Sequence, residues 1–151
     1  MRVGVDMINV VCGYSGAGKT TYAINNKNSN DVIIDADNLK ECFQKYNNPN
    51  MMKELQILLT QFYISRGTNV WYITCFPSWE ELELFVQYDS KFMWINTTLE
   101  KSLKNIYLRN RNGDLEDIDR IKEFNLKVSE KYCSSKLNFK IVDVFERDER
   151  W

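Results

Sequence analysis

The chain has 151 residues, 44% of them hydrophobic and 27% charged. That is one domain's worth of ordinary globular composition, able to bury about two-thirds of its unfolded surface without disulfide or metal staples. Twenty basic against twenty-one acidic side chains leave a net charge of −1 and there is no histidine, which argues against a nucleic-acid-coating protein and excludes histidine triads. The four cysteines (Cys12, Cys42, Cys75, Cys133) are widely spaced, so zinc and iron–sulfur sites are disfavoured and reduced thiols in the cytoplasm are expected. Met1 to Val11 lacks a basic start followed by a long apolar core, and no apolar run approaches a membrane span, so neither a signal peptide nor a membrane partner is expected.

In chain order, Ile8 to Cys12 is a β-branched run ended by glycine, the pattern of a buried strand. A glycine-rich turn leads into a helix over Lys19 to Asn25, then a polar loop to Asn30. A second strand over Val32 to Ile34 runs into Asp35-Ala36-Asp37-Asn38, and Leu39 to Tyr46 predicts a helix broken before Pro49. Leu55, Leu58, Leu59 and Phe62 recur at helical spacing and predict an apolar face ending near Gly67. A third strand is expected over Val70 to Phe76. Ser78 and Glu81 form a capping-box pair ahead of Leu82, Leu84 and Phe85. Lys91 to Asn96 reads as a fourth strand. Leu99, Leu103 and Ile106 carry a helix toward Arg109, and Asp114 can cap another, with Leu115, Ile118, Ile121 and Phe124 on one face. Phe139 to Phe145 is the last strand. Strands alternating with helices imply an α/β fold, a mostly parallel sheet with helices on both faces. With no repeat, low-complexity tract or linker, residues 1–151 are expected to form one domain.

Gly13-Tyr14-Ser15-Gly16-Ala17-Gly18-Lys19-Thr20 fits the pattern G-x-x-x-x-G-K-[ST], between a strand and a helix. The residue types suit a nucleoside triphosphate. Glycines let main-chain N–H groups approach phosphate oxygens, and the helix start adds positive partial charge. Lys19 can reach the β- and γ-phosphates, and the Thr20 hydroxyl can ligate Mg²⁺. By composition alone the pattern arises in roughly one chain of this size in two hundred, and three of this chain's six glycines fall within this window.

Asp35 and Asp37 follow the second strand, at the sheet edge where such folds bind ligands. Read as an extended segment, they share a side. One carboxylate can orient an acceptor hydroxyl and take its proton, while the other holds the Mg²⁺ shell. A purely structural alternative is that Asp37 or Asn38 caps the helix starting at Leu39.

Gly13 to Thr21, followed by Tyr22-Ala23 and then by Ile34-Asp35-Ala36-Asp37-Asn38-Leu39-Lys40, resembles the P-loop kinases that phosphorylate hydroxyl groups. The similarity is nearest to the kinase domain of bacteriophage polynucleotide 5′-hydroxyl kinases, and looser to adenylylsulfate and shikimate kinases. The resemblance implies a P-loop NTPase three-layer sandwich, with ATP and Mg²⁺ as cofactors. It implies nucleotide contacts along Gly13 to Thr21 and a metal site at Thr20 and Asp35. It also implies Asp37 as general base, with Asp35, Asp37 and Lys40 on the substrate. Two departures stand out. Thr74 stands where that family's third strand ends in aspartate, and Asn38 replaces the second aspartate of an adjacent pair.

Arg109 and Arg111 lie where the lid of such kinases closes over the triphosphate, and a guanidinium suits that task. A solvated helix end is the alternative for either. Most of the four tryptophans and sixteen Phe and Tyr lie in strand runs, so core packing is expected of them rather than base stacking. The function expected is Mg²⁺–ATP-dependent transfer of the γ-phosphoryl group to a hydroxyl of a nucleic-acid end or nucleotide-like acceptor. The alternatives are a kinase of a small molecule (nucleoside, nucleotide or metabolite) and a nucleotide-dependent switch or binding module.

Overall fold

The computed structural model describes residues 7–42, 49–109 and 118–143. Five strands form one sheet: β1 (Ile8–Cys12), β2 (Val32–Asp35), β3 (Val70–Ile73), β4 (Ser90–Ile95) and β5 (Phe139–Val142). Their spatial order is β2-β3-β1-β4-β5, and each pairing is parallel. The helices among the described residues are α1 (Lys19–Asn26), α2 (Ala36–Cys42), α3 (Pro49–Ser65), α4 (Trp79–Phe85), α5 (Leu99–Arg109) and α6 (Ile118–Ser134).

The strands read as near-continuous apolar runs because both faces of the sheet are covered. In β1, Ile8, Val10, Val11 and Cys12 are all fully buried. Register places Tyr72 and Phe92 beside Val10, and Trp71 beside Asn9. Alternation therefore puts Tyr72, Phe92 and Trp94 on one face and Trp71 on the other. Phe85 of α4 meets the rings of Tyr72 and Phe92 at 5.0 and 5.9 Å, and Tyr132 of α6 stacks on Trp94 at 3.8 Å. Tyr22 of α1 meets Trp71 at 6.2 Å. So α4 and α6 cover one face and α1 the other, the three layers that the strand–helix alternation predicts. Of the tryptophans, Trp71 and Trp94 are core residues, whereas Trp79 is 73% exposed. Among the described residues, no helix is long and apolar enough to cross a membrane.

All parallel strands end at one sheet edge. The chain leaving β1 runs toward β2, and the chain leaving β4 runs toward β5. The turn after β1 thus lies at a point where strand order diverges, the usual position of a ligand crevice.

Several local expectations shift. Helix α2 begins at Ala36 rather than Leu39, because Asp35 Oδ1 accepts the Asp37 N–H at 3.0 Å and caps it. Strand β3 ends at Ile73, three residues before Phe76. The Thr74 N–H still bonds Val11 C=O at 3.1 Å, but the Thr74 hydroxyl then turns to Phe76 C=O at 3.4 Å and the chain leaves the sheet. In α3 the expected apolar face holds in part: Leu55 and Leu59 are half-buried, with Leu59 packed on the core, but Leu58 and Phe62 are exposed and the fully buried line is Met52, Gln56, Thr60 and Ile64. Two polar residues can sit inside because Gln56 Nε2 donates to Ile73 C=O at 3.2 Å and Thr60 Oγ1 donates to Gln56 C=O at 2.8 Å. Phe62 is covered instead by the Arg66 guanidinium, 4.5 Å from its ring centre. In α6, Phe124 is exposed while Asn125 and Val128 are buried. Asp114, Leu115 and the end of the expected last strand lie outside the described residues.

Other signals hold. Helix α3 stops at a left-handed Gly67 (φ 77°), where Gly67 N–H bonds Ile64 C=O and Thr68 N–H bonds Tyr63 C=O. Ser78 and Glu81 form the reciprocal cap: the Glu81 N–H donates to Ser78 Oγ at 3.2 Å and the Ser78 N–H to Glu81 Oε1 at 2.9 Å. Glu81 is fully buried, and Lys53 of α3 lies 3.5 Å from the same oxygen. Ser78→Ala is expected to lower stability by about 1 kcal/mol. Urea denaturation should show a lower midpoint with an unchanged m value.

Candidate active site

The six residues between β1 and α1, Gly13 to Gly18, form a loop whose shape depends on glycine at two points. Gly16 (φ 88°) and Gly18 (φ 94°) are left-handed, a conformation that side chains disfavour. Gly16 also lacks room: a Cβ there would lie 2.3 Å from Ser102 C=O of α5 and 2.9 Å from Ile106 Cγ1. Gly18 directly precedes α1, whose first N–H groups have no partner within the helix.

The loop is anchored on several sides. The Gly13 N–H donates to Cys75 C=O, beyond β3, at 3.1 Å. The Ala17 N–H closes a turn onto Tyr14 C=O at 3.0 Å. Ser15 pairs with Asn125 of α6, and Gly16 C=O accepts from Asn105 of α5. The Lys19 ammonium lies over the loop, donating to Gly13 C=O at 3.1 Å, Tyr14 C=O at 2.8 Å and Cys75 Sγ at 3.5 Å. Below it, burial pushes the Cys12 thiol well up, against the opposing pull of Lys19, so that thiol stays neutral.

Asp35, at the tip of β2, connects this loop to the second aspartate. It is buried. Its Oδ2 accepts the Thr20 hydroxyl at 2.6 Å, and its Oδ1 accepts the Asp37 N–H at 3.0 Å. One carboxylate therefore ties the start of α1 to the start of α2. Asp37 is exposed in the first turn of α2. The two aspartates are not in one extended segment as expected, because the chain becomes helical immediately after Asp35. Asp35, rather than Asp37 or Asn38, is the capping residue.

The structure thus brings Gly13 to Thr20, Asp35 and Asp37 together at the carboxyl edge of the sheet. Thr21 follows on α1, exposed. The Tyr14 side chain does not face this edge openly; it is buried edge-on against Trp94 at 5.5 Å, leaving its backbone to serve the loop. Lys40 lies on α2 and Arg109 ends α5, but their side chains, and all of Arg111, lie outside the described residues. Sequence reasoning missed Asn105, Asn125 and Cys75. They lie far from the loop along the chain, and no local spacing marks them.

The donor set fits Mg²⁺–ATP. Left-handed glycines at a helix start suit a polyphosphate. The Thr20 hydroxyl and Asp35 carboxylate are hard oxygens already side by side. Among the described residues no group of three or more His, Cys, Asp or Glu could hold a metal.

Comparisons with protein-family profiles and with curated proteins give no match. Among solved structures the chain is similar to shikimate kinase from Bacteroides thetaiotaomicron, with a TM-score of 0.62 and 19% identity, over 96% of this chain and 90% of that one. The chain therefore shares the α/β fold of that kinase, a five-stranded parallel sheet covered by helices. Gly16→Ala should weaken binding of a fluorescent ATP analogue by at least about tenfold, because the loop must move off α5 to admit a Cβ. Unchanged affinity would show that the loop shape does not govern binding.

Proposed function

We propose that this chain is a Mg²⁺–ATP-dependent phosphotransferase that moves the γ-phosphoryl group to a hydroxyl acceptor. The observation that carries the reading is the Thr20–Asp35–Asp37 connection, in which one carboxylate joins the start of α1 to the backbone of a second aspartate. Mg²⁺–ATP would supply an activated phosphoryl group. The loop N–H groups and Lys19 would hold the polyphosphate, and Thr20 with Asp35 would hold the metal. Asp37, exposed two residues beyond the buried Asp35, would orient the acceptor hydroxyl and accept its proton. With no histidine in the chain, a carboxylate is the suitable base. Arg109 or Arg111 would neutralise charge on the transferring group.

The acceptor preferred here is a nucleotide-like molecule or nucleic-acid end. Trp79 favours it: this residue starts α4 just beyond β3, at the same sheet edge, and offers a 73% exposed ring on which a base can stack. A compact small-molecule acceptor is the second reading. It is favoured by charge, since residues 32–85 carry four basic against seven acidic side chains, a poor match for a long polyanion.

A screen with γ-labelled ATP against 5′-hydroxyl DNA and RNA, nucleosides, nucleotides and hydroxy acids tests the reading. Wild type is expected to label one class. Asp37→Ala should bind ATP as wild type does and lose transfer by about 10²-fold or more. Full transfer by that variant would remove Asp37 from the mechanism. Slow hydrolysis with no labelled acceptor would indicate a switch instead. Trp79→Ala should raise the acceptor KM and leave the ATP KM unchanged if the acceptor carries a base. No change in either KM points to an acceptor without one.

A further inference from the structure

Asn125 is a polar side chain on α6 with no exposed surface. Its amide faces Ser15, 110 residues earlier. Oδ1 accepts the Ser15 N–H at 2.9 Å, and Nδ2 donates to Ser15 C=O at 3.2 Å. One side-chain amide thus satisfies both main-chain groups of one residue, as a neighbouring strand would. On α5, Asn105 Nδ2 donates to the next carbonyl, Gly16 C=O, at 3.0 Å from 89 positions away. Two consecutive carbonyls of the phosphate loop are held by two helices.

The direction of those carbonyls matters for an anion. Peptide units are planar and trans, so a C=O and the N–H of the following residue point opposite ways; no cis peptide occurs among the described residues. Holding Ser15 C=O on α6 therefore turns the Gly16 N–H away from α6. Holding Gly16 C=O on α5 likewise fixes the Ala17 N–H, which closes onto Tyr14 C=O. If the Ser15–Gly16 peptide turned over, it would aim a carbonyl oxygen where the amide now points, and that oxygen would repel a phosphate. Glycine at position 16 makes such a flip sterically easy, so something must prevent it.

We propose that Asn125 is a positioning residue for the nucleotide's phosphates. It latches the Ser15–Gly16 peptide so that the Gly16 N–H faces the anion, and Asn105 secures the adjoining peptide. This rests on the phosphate-loop reading given above. Asn125 touches no substrate; it acts through the loop backbone. The variants Asn125→Leu and Asn125→Asp keep the approximate size of the side chain. The first removes both hydrogen bonds, and the second keeps an acceptor for Ser15 N–H but sets a carboxylate oxygen against Ser15 C=O.

The test is isothermal titration with ATP and with inorganic tripolyphosphate, at a temperature well below each variant's melting point. Val128→Ala, a buried apolar change one turn further along the same helix with no hydrogen bond to remove, is the control. The expected result is that both Asn125 variants bind both ligands about tenfold more weakly or worse, while Val128→Ala binds them as wild type does despite a lower Tm. Equal binding by wild type and the Asn125 variants would overturn the proposal, as would an equal loss in Val128→Ala. Should Asn125→Leu not fold, Asn125→Asp and Asn105→Ala decide on the same criterion. Wild type binding neither ligand would sink the phosphotransferase reading, and this proposal with it. Wild type binding both with insensitive Asn125 variants would sink this proposal alone.

Discussion

The constraint on which the molecule depends is the direction of a few peptide units between β1 and α1. Main-chain N–H groups attract an anion only if they all face it, and one reversed peptide replaces a donor with a repelling oxygen. Glycine makes the required left-handed turns accessible, but it makes the wrong ones accessible too. The chain resolves this by fastening the loop to its surroundings. Strand β1 lies at the centre of the sheet, the segment after β3 holds Gly13, and α5 and α6 hold Gly16 and Ser15. The crowding of Gly16 against Ser102 is the counterpart of that fastening, since a loop packed this closely has no room for a side chain.

Asp35 carries the same principle to the second strand. A buried carboxylate is costly unless it is well hydrogen-bonded. Here both oxygens are used, one on the Thr20 hydroxyl and one on the α2 backbone. The result is a hydrogen-bonded link between the start of α1 and the point where α2 starts. Asp37 is held in place by that link while its own side chain stays exposed. In the proposed reaction the buried, bonded aspartate would organise a metal and the exposed one would meet the substrate.

Much of this was legible locally. The loop, the Ser78–Glu81 cap, the Gly67 stop and the strand cores depend on residues within a few positions of each other. The parts that were not legible depend on distant partners. Asn125 and Asn105 are unremarkable helix residues until α5 and α6 are folded against a loop some 90 to 110 positions away. The apolar stripe of α3 tells only part of its buried face: Leu55 and Leu59 are half-buried, but Gln56 and Thr60 find partners at the end of β3 and on the helix itself, whereas Leu58 and Phe62 stay outside. Helix α2 starts earlier than its apolar residues suggest because Asp35, besides bonding Thr20, also supplies the cap.

The central claim is that the residue 13–20 backbone and the Lys19 ammonium together grip a polyphosphate. Calorimetric titration of ATP in the presence of Mg²⁺, comparing wild type with Lys19→Ala, tests it most directly. Wild type is expected to bind saturably at one site, and the variant to lose about 10²-fold or more in affinity. Heat-silent titrations of wild type with every purine triphosphate, or equal affinities for the two proteins, would contradict it.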